Sequence, residues 1–376
     1  MHPLLRPALK ALISLALVAT PGVAAGAAAG RPILVAAAAP GVLELPGGAR
    51  IGLALPAGSA VAAVEPLAGG WLAAGTRTRE DIENGREIFL LAGRSGAVSA
   101  AALPPPPAAR KLARLRAEPL PLVEDGRLAG LVWLEGSEAR RLRVMFARWN
   151  GRGWGAPRTV SPPGPGSQLA LAAARLADGS WLLAWSAFDG HDDEIVWSRF
   201  DGARWSRPAR VAPDNDVPDV TPALAAQGDG AWIAWSRFDG DGYRTVTSRF
   251  SPAGGGRFSP PLEATPAGAV FPSFEPGVGN PGSAGTWLLT KTSVPAGWSL
   301  FELDAQGRAV RRAAVVAAGS TLGGGAGDIS GRPSVEAEPG GAGVTFRFPA
   351  SGALRGAAWE SLPAPPASSE APGQQP

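Results

Sequence analysis

From residue 169 onward, apolar stretches of strand length alternate with polar turns: "LALAAARLADG", "SWLLAWSAFDG", "DEIVWSRFDG" and "WSRPARVAPD". Each of the first three ends on Asp-Gly, the pair that suits a tight hairpin because glycine accepts a positive φ at no steric cost. The second stretch is apolar on both of its faces, the pattern of a strand sandwiched between two neighbouring sheets. No window sustains a helical period, and 38 prolines with 51 glycines disfavour long helices. The pattern predicts an antiparallel four-stranded unit.

That unit recurs. "AWSAFDGHDDEIVWSRF" (184–200) and "AWSRFDGDGYRTVTSRF" (234–250) align without a gap, with ten of seventeen positions identical. Looser copies begin at "GWLAAGTRTREDIENGREIFLLAG" (70–93), "LAGLVWLEGSEARRLRVMFARWNG" (128–151), "GTWLLTKTSVPAGWSLFELDAQG" (285–307) and "AGVTFRFPASGALRGAAWES" (342–361). Six four-stranded units point to an all-β, six-bladed β-propeller rather than to a pair of β-sandwiches. The last unit lacks its outer strand, and "GGARIGLALPAG" (47–58) resembles the "GARWSRPARVAPD" (202–214) that ends a unit. An N-terminal strand closing the last blade is therefore expected, since it would remove two sheet edges. The propeller is expected over residues 30–363, followed by a disordered tail over 364–376.

Composition narrows the setting. Arg6 and Lys10 precede "ALISLALVA" (11–19), an apolar run too short to span a bilayer, and small residues follow, so 1–29 read as a signal peptide. Export to a bacterial periplasm or medium, with no membrane span in the mature chain, is the expectation. There is no cysteine, which excludes disulfides, thiol catalysis and cysteine metal sites. The net charge of +3 is not gathered into a basic patch, the richest stretch being "ARKLARLRAEP" (109–119), so nucleic acid is not expected as a partner. A monomer is expected.

"SRFDGARW" (198–205) resembles the Asp-box of sialidase-like repeat propellers, and "ARWNGRGWGAP" (147–157) is a second, degenerate copy. Asp201 and Gly202 are adjacent here, where the family motif has a residue between them. The resemblance implies that Asp201, Trp205, Asn150 and Trp154 brace hairpins. It does not carry sialidase chemistry over, because the single tyrosine, Tyr243, is not placed on an inner strand and the arginine motif is missing.

What differs between the repeated copies is the charged centre, "GHDDE" (190–194) against "GDGYR" (240–244). These tips and the inter-unit link "PDNDVPD" (213–219) should share one face. Variation on a constant scaffold is where recognition concentrates. His191, Asp192, Asp193, Glu194, Asp239, Asp241 and Tyr243 are the expected ligand-binding face. Asp192, Asp193, Asp214 and Asp216 are candidate ligands for Ca²⁺, which takes six to eight hard oxygens. Arg77, Arg79 and Arg244 are the candidate internal counter-ions. Glu65, Glu275 and Glu336 fall where each blade's innermost strand is expected and are candidate catalytic carboxylates. Thirteen tryptophans are expected mainly in the core, with Trp154, Trp205 and Trp298 as candidate sugar platforms. The leading expectation is a binding module for an extracellular glycan, peptide or protein, not an enzyme. The alternative is a glycan hydrolase or lyase using channel carboxylates.

Overall fold

The computed structural model describes residues 33–362 except 37–40, 46–48, 54, 56, 81, 83–84, 95–96, 103–114, 138–140, 162–163, 239, 241, 276–285, 294–295, 315–332, 339–342, 349–351 and 356–358. The signal peptide and the tail expected at the two ends lie outside the described residues.

The described strands form seven antiparallel units in chain order. Unit I is β1 (Ile33–Ala36), β2 (Gly41–Glu44) and β3 (Arg50–Leu53). Unit II is β4 (Ser59–Leu67), β5 (Gly70–Thr78), β6 (Arg86–Arg94) and β7 (Ala97–Ala102). Unit III is β8 (Leu115–Glu124), β9 (Arg127–Gly136), β10 (Arg143–Arg148) and β11 (Arg158–Thr159), linked to unit II by one parallel pairing of Arg86 with Leu115. Unit IV is β12 (Gln168–Arg175), β13 (Trp181–Phe188), β14 (Asp193–Phe200) and β15 (Ala209–Arg210). Unit V is β16 (Asp219–Gln227), β17 (Gly230–Phe238) and β18 (Tyr243–Ser251), whose outer edge is covered by two short strands, β19 (Arg257–Phe258) and β20 (Leu262–Glu263). Unit VI is β21 (Ala269–Phe274), β22 (Thr286–Ser293), β23 (Ala296–Leu303) and β24 (Ala309–Ala314); unit VII is β25 (Ser334–Ala337), β26 (Val344–Phe348) and β27 (Gly352–Arg355). A last pair of residues, β28 (Glu360–Ser361), extends unit VI beyond β24.

Each unit packs face to face on the next, as blades do. Leu43 and Leu53 of unit I bury against Val61 and Trp71 of unit II. Leu72 and Leu90 of unit II meet Leu131 and Trp133 of unit III, and Val132 and Leu134 meet Trp181 and Trp185 of unit IV. Leu182 and Ile195 meet Ile233 and Trp235 of unit V, Ala234 and Ala264 meet Leu288 and Phe301 of unit VI, and Leu289 and Leu300 meet Val344 and Phe346 of unit VII. The second strands are therefore buried on both faces, as their unbroken apolar runs require. Trp71, Trp133, Trp185 and Trp235, one per unit in four successive units, are among the largest fully buried side chains.

Unit I corrects the sequence expectation. Residues 50–53, assigned in advance to the last blade, pair instead with β2. The cause is burial: the Leu43 and Leu53 face has its apolar partner in Trp71, on the unit that follows it in the chain.

The repeated words turn out to be joints. In β8, β12, β16 and β21, the first strand of four successive units, the ladder slips at a bulge. A non-glycine residue there takes the left-handed conformation: Glu118 (φ 46°), Ala170 (54°), Thr221 (55°) and Phe271 (52°). Such a residue costs about 1–2 kcal/mol, so something must hold it. At the last two of these bulges the serine of "AWS" does so from the preceding unit. Ser186 Oγ accepts from Thr221 N at 3.1 Å, and Ser236 Oγ accepts from Phe271 N at 3.0 Å. The serine of "SRF" has a second duty: Ser198 donates to the carbonyl of Ser206 at 2.8 Å and Ser248 to that of Ser259 at 2.6 Å, pinning the outer segment to the third strand.

Candidate functional site

Antiparallel strands sort the connections onto two faces. The β13–β14 hairpin and the link from β15 to β16 emerge together on what we call the loop face. The first-to-second and third-to-fourth turns emerge at the other ends of the strands. The expected ligand residues and the described clefts lie on different faces.

On the loop face, Asp189 organises the β13–β14 hairpin. Its Oδ1 accepts from His191 N at 2.8 Å and Asp192 N at 3.3 Å, a turn in which Gly190 takes φ 116°. The hairpin folds the Asp192 and Glu194 side chains inward, leaving them 7% and 1% exposed. No protein donor reaches either oxygen of Asp192 or of Glu194. Asp214 arrives on the unit link, with one carboxylate oxygen each of Asp189, Asp192 and Asp214 within 4.8 Å of one another. The Glu194 carboxyl makes a hydrogen bond to that of Asp214. Arg210 of β15 is the cation present: it reaches Asp189 Oδ2 at 2.6 Å and Asp214 Oδ2 at 2.5 Å. That hydrogen bond holds the Asp214 carboxyl below the usual range. Burial, and then Asp189, pushes Asp192 up, while burial and then Asp219 push Glu194 up to about 8.

Several expected members do not join this cluster. Asp193 lies on β14 opposite Phe188, its carboxyl pushed up by burial and then by Asp192. Asp216 points into solvent with His191 3.9 Å away, and both side chains are largely exposed. Tyr243 begins β18 and tilts against Phe238 at 5.3 Å between centroids. Asp239 and Asp241 lie outside the described residues. Two of the expected counter-ions have other partners: Arg77 meets Glu87 and Arg244 meets Glu263, each at 2.7 Å. Asp219, fully buried, is held by Arg237 through Nε at 2.7 Å and Nη2 at 2.6 Å. Sequence reasoning missed Asp189 and Arg210.

The candidate catalytic carboxylates belong to units II, VI and VII. Glu65 pairs in register with Leu72 near the end of β4, and Glu275 follows β21 with its N–H on the carbonyl of Trp287. Glu336 is in register with Thr345 on β25, and its side chain lies outside the described residues. Units VI and VII are successive, whereas unit I precedes unit II in the chain.

The opposite face carries two clefts. One, of about 480 Å³, is lined by Glu124, Asp125, Arg127, Arg148 and Trp149 with Leu128 and Ala129. Trp149 is half-buried and packs edge-on against Trp154, centroids 5.0 Å apart. Arg148 is anchored on the carbonyl of Gly202 at 2.6 Å, and Glu124 accepts from Trp181 Nε1 at 2.9 Å. The second, of about 500 Å³, lies among the first turns of units III, IV and V, where Arg175 meets Asp125 at 2.8 Å. Beside them, Asn150 Oδ1 takes the N–H groups of Arg152 and Gly153, and Asp201 Oδ1 those of Ala203 and Arg204, at 2.8–2.9 Å. Trp205 packs on Phe146 and Phe200. All four expected hairpin braces are thus in structural use. Trp298 is buried between units VI and VII.

No family model and no curated protein matches the sequence. Among solved structures, the chain is similar to a protein of unknown function from Dyadobacter fermentans DSM 18053, at a TM-score of 0.50 and 13% identity over 82% of this chain and 97% of that one. It is also similar to the six-bladed β-propeller lectin of Aleuria aurantia (TM-score 0.44, 12% identity, 76% of this chain and 89% of that one). A third is the GH43 endo-arabinanase of Bacillus licheniformis (TM-score 0.40, 13% identity, 65% and 94%). At these identities the likeness concerns the fold.

Proposed function

We propose that the protein is an exported recognition module that binds a glycan in the cleft beside Trp149, on a propeller whose stacked units close into a ring. Closure would set unit VII against unit I and leave no terminal face bare. Residues 1–29 support export, to the periplasm or the medium. The observation that carries the binding reading is the composition of the cleft: a half-buried indole walled by two carboxylates and two arginines. A sugar presents an apolar C–H face and a rim of hydroxyls. An aromatic platform takes the first, and fixed multi-donor or multi-acceptor side chains take the second. Arg148 and Glu124 are already held by neighbouring units, so little ordering remains to oppose binding.

The test is a glycan array on the purified protein, followed by calorimetry with the best binder. Trp149→Ala should weaken it at least about tenfold, the equivalent of 1.4 kcal/mol. Full binding by Trp149→Ala, with loss of binding in an Asp189→Asn, His191→Ala double variant, would move recognition to the loop face instead.

A further inference from the structure

We infer that Asp189, Asp192, Glu194 and Asp214 form a binding site for a hard divalent cation, Ca²⁺, on the loop face of unit IV. Three of them bring carboxylate oxygens within 4.8 Å of one another, and the fourth, Glu194, hydrogen-bonds to Asp214. Proximity of acids alone would prove little, because solvated loop tips are often acidic. The decisive observation is that Asp192 is more than nine-tenths buried and that neither of its oxygens receives a hydrogen bond, while Glu194, equally buried, has only the Asp214 carboxyl as a partner. A buried carboxylate without a donor is among the costliest arrangements in a fold, unless a cation or proton neutralises it.

The cations among the described residues do not suffice. Arg210 spans the outer oxygens of Asp189 and Asp214 and makes no hydrogen bond to Asp192 or Glu194. Arg237 is committed to Asp219. Among the described residues, Arg210 is thus the guanidinium hydrogen-bonded to this group of four carboxyls, while Arg237 acts on Glu194 only through space. The donor set also selects the metal. It is all oxygen, His191 being turned to Asp216, and it comes from a hairpin and a separate link. An irregular oxygen cage of this kind suits Ca²⁺, whereas Mg²⁺ demands a near-ideal octahedron and keeps its waters. The site is at the far ends of the strands from the Trp149 cleft and does not depend on what that cleft binds.

Calorimetric titration of the chelator-treated full chain with CaCl₂ should give one site, with a Kd of about 10⁻⁴–10⁻³ M as in extracellular modules. Saturation should raise the Tm by about 4 °C or more. Asp192→Asn and Glu194→Gln, each nearly isosteric, should weaken binding at least about tenfold while near-UV circular dichroism stays native. Asp216→Asn should bind as the parent does. Absence of both heat and a Tm shift in the parent overturns the proposal, as does undiminished binding by both Asp192→Asn and Glu194→Gln. Tighter binding of MgCl₂ than of CaCl₂ overturns the choice of metal.

Discussion

Ser236 offers a direct measure of what a repeated word contributes. Its hydroxyl is almost fully buried, accepts from Phe271 N at 3.0 Å and meets Thr221 Oγ1 at 2.9 Å. Ser236→Ala removes a single oxygen and leaves a void too small to matter. Its effect is therefore the loss of two hydrogen bonds, each worth about 1 kcal/mol net. In addition, the N–H of a residue already held in left-handed backbone is left without this acceptor, which costs up to about 1 kcal/mol more. The expected destabilisation is about 2–3 kcal/mol. Ser186→Ala, which loses only the 3.1 Å bond from Thr221 N, should cost about 1–2 kcal/mol. Urea unfolding followed by tryptophan fluorescence measures both, and unchanged m-values would show that the denatured state is not what moved. Hydrogen exchange at the Phe271 amide should accelerate in Ser236→Ala alone. A Ser236→Ala protein within about 0.5 kcal/mol of the parent, or less damaged than Ser186→Ala, would refute the claim that these serines hold the next unit's bulge.

Two further outcomes are expected. Asp178 has its carboxyl held below the ordinary range, first by the Ser180 hydroxyl and then by its backbone N–H and by Arg199. A depressed folded-state value gives stability that is present above the unfolded value and is lost as pH falls through the folded one. The deficit of Asp178→Ala relative to the parent should thus be constant near neutrality and shrink below about pH 4; thermal melts across that range check it, and a deficit that persists at pH 2 would contradict the assignment. Asp201→Ala deletes the acceptor for the Ala203 and Arg204 N–H groups on an exposed turn and should lower the urea midpoint measurably in the same titration, whereas an unchanged midpoint would remove its bracing role.

The strands and turns were legible in the sequence because they follow from neighbours in the chain: apolar runs, Asp-Gly ends and the doubled serines. What was not legible depends on which way a side chain turns after folding. Asp189 belongs to "FDG", a word shared with residues 238–240, and so read as scaffold; in the fold the same carboxylate braces the turn and faces the cluster. Arg210 sits in a stretch that looked like a mere blade end, while Arg77 and Arg244 find acids on the strands beside them. Trp149 drew no notice because its cleft is completed by the Glu124–Arg127 turn, more than twenty residues upstream. The N-terminal unit was misplaced for a similar reason. A short strand states that it needs a partner, but only the Leu43 and Leu53 face meeting Trp71 says which one.

The serine joints give the row of blades a direction. Unit IV supplies the acceptor for unit V, and unit V for unit VI, never the reverse among these pairs. A copy of unit V therefore arrives with the hydroxyl its successor needs and finds its own in the unit before it, so its duplication in tandem is self-completing. A blade transplanted alone, or a chain cut and rejoined between a serine and the bulge it serves, separates donor from acceptor. Gene duplication can lengthen such an array without new side chains being invented, and its loop tips are then free to diverge one blade at a time.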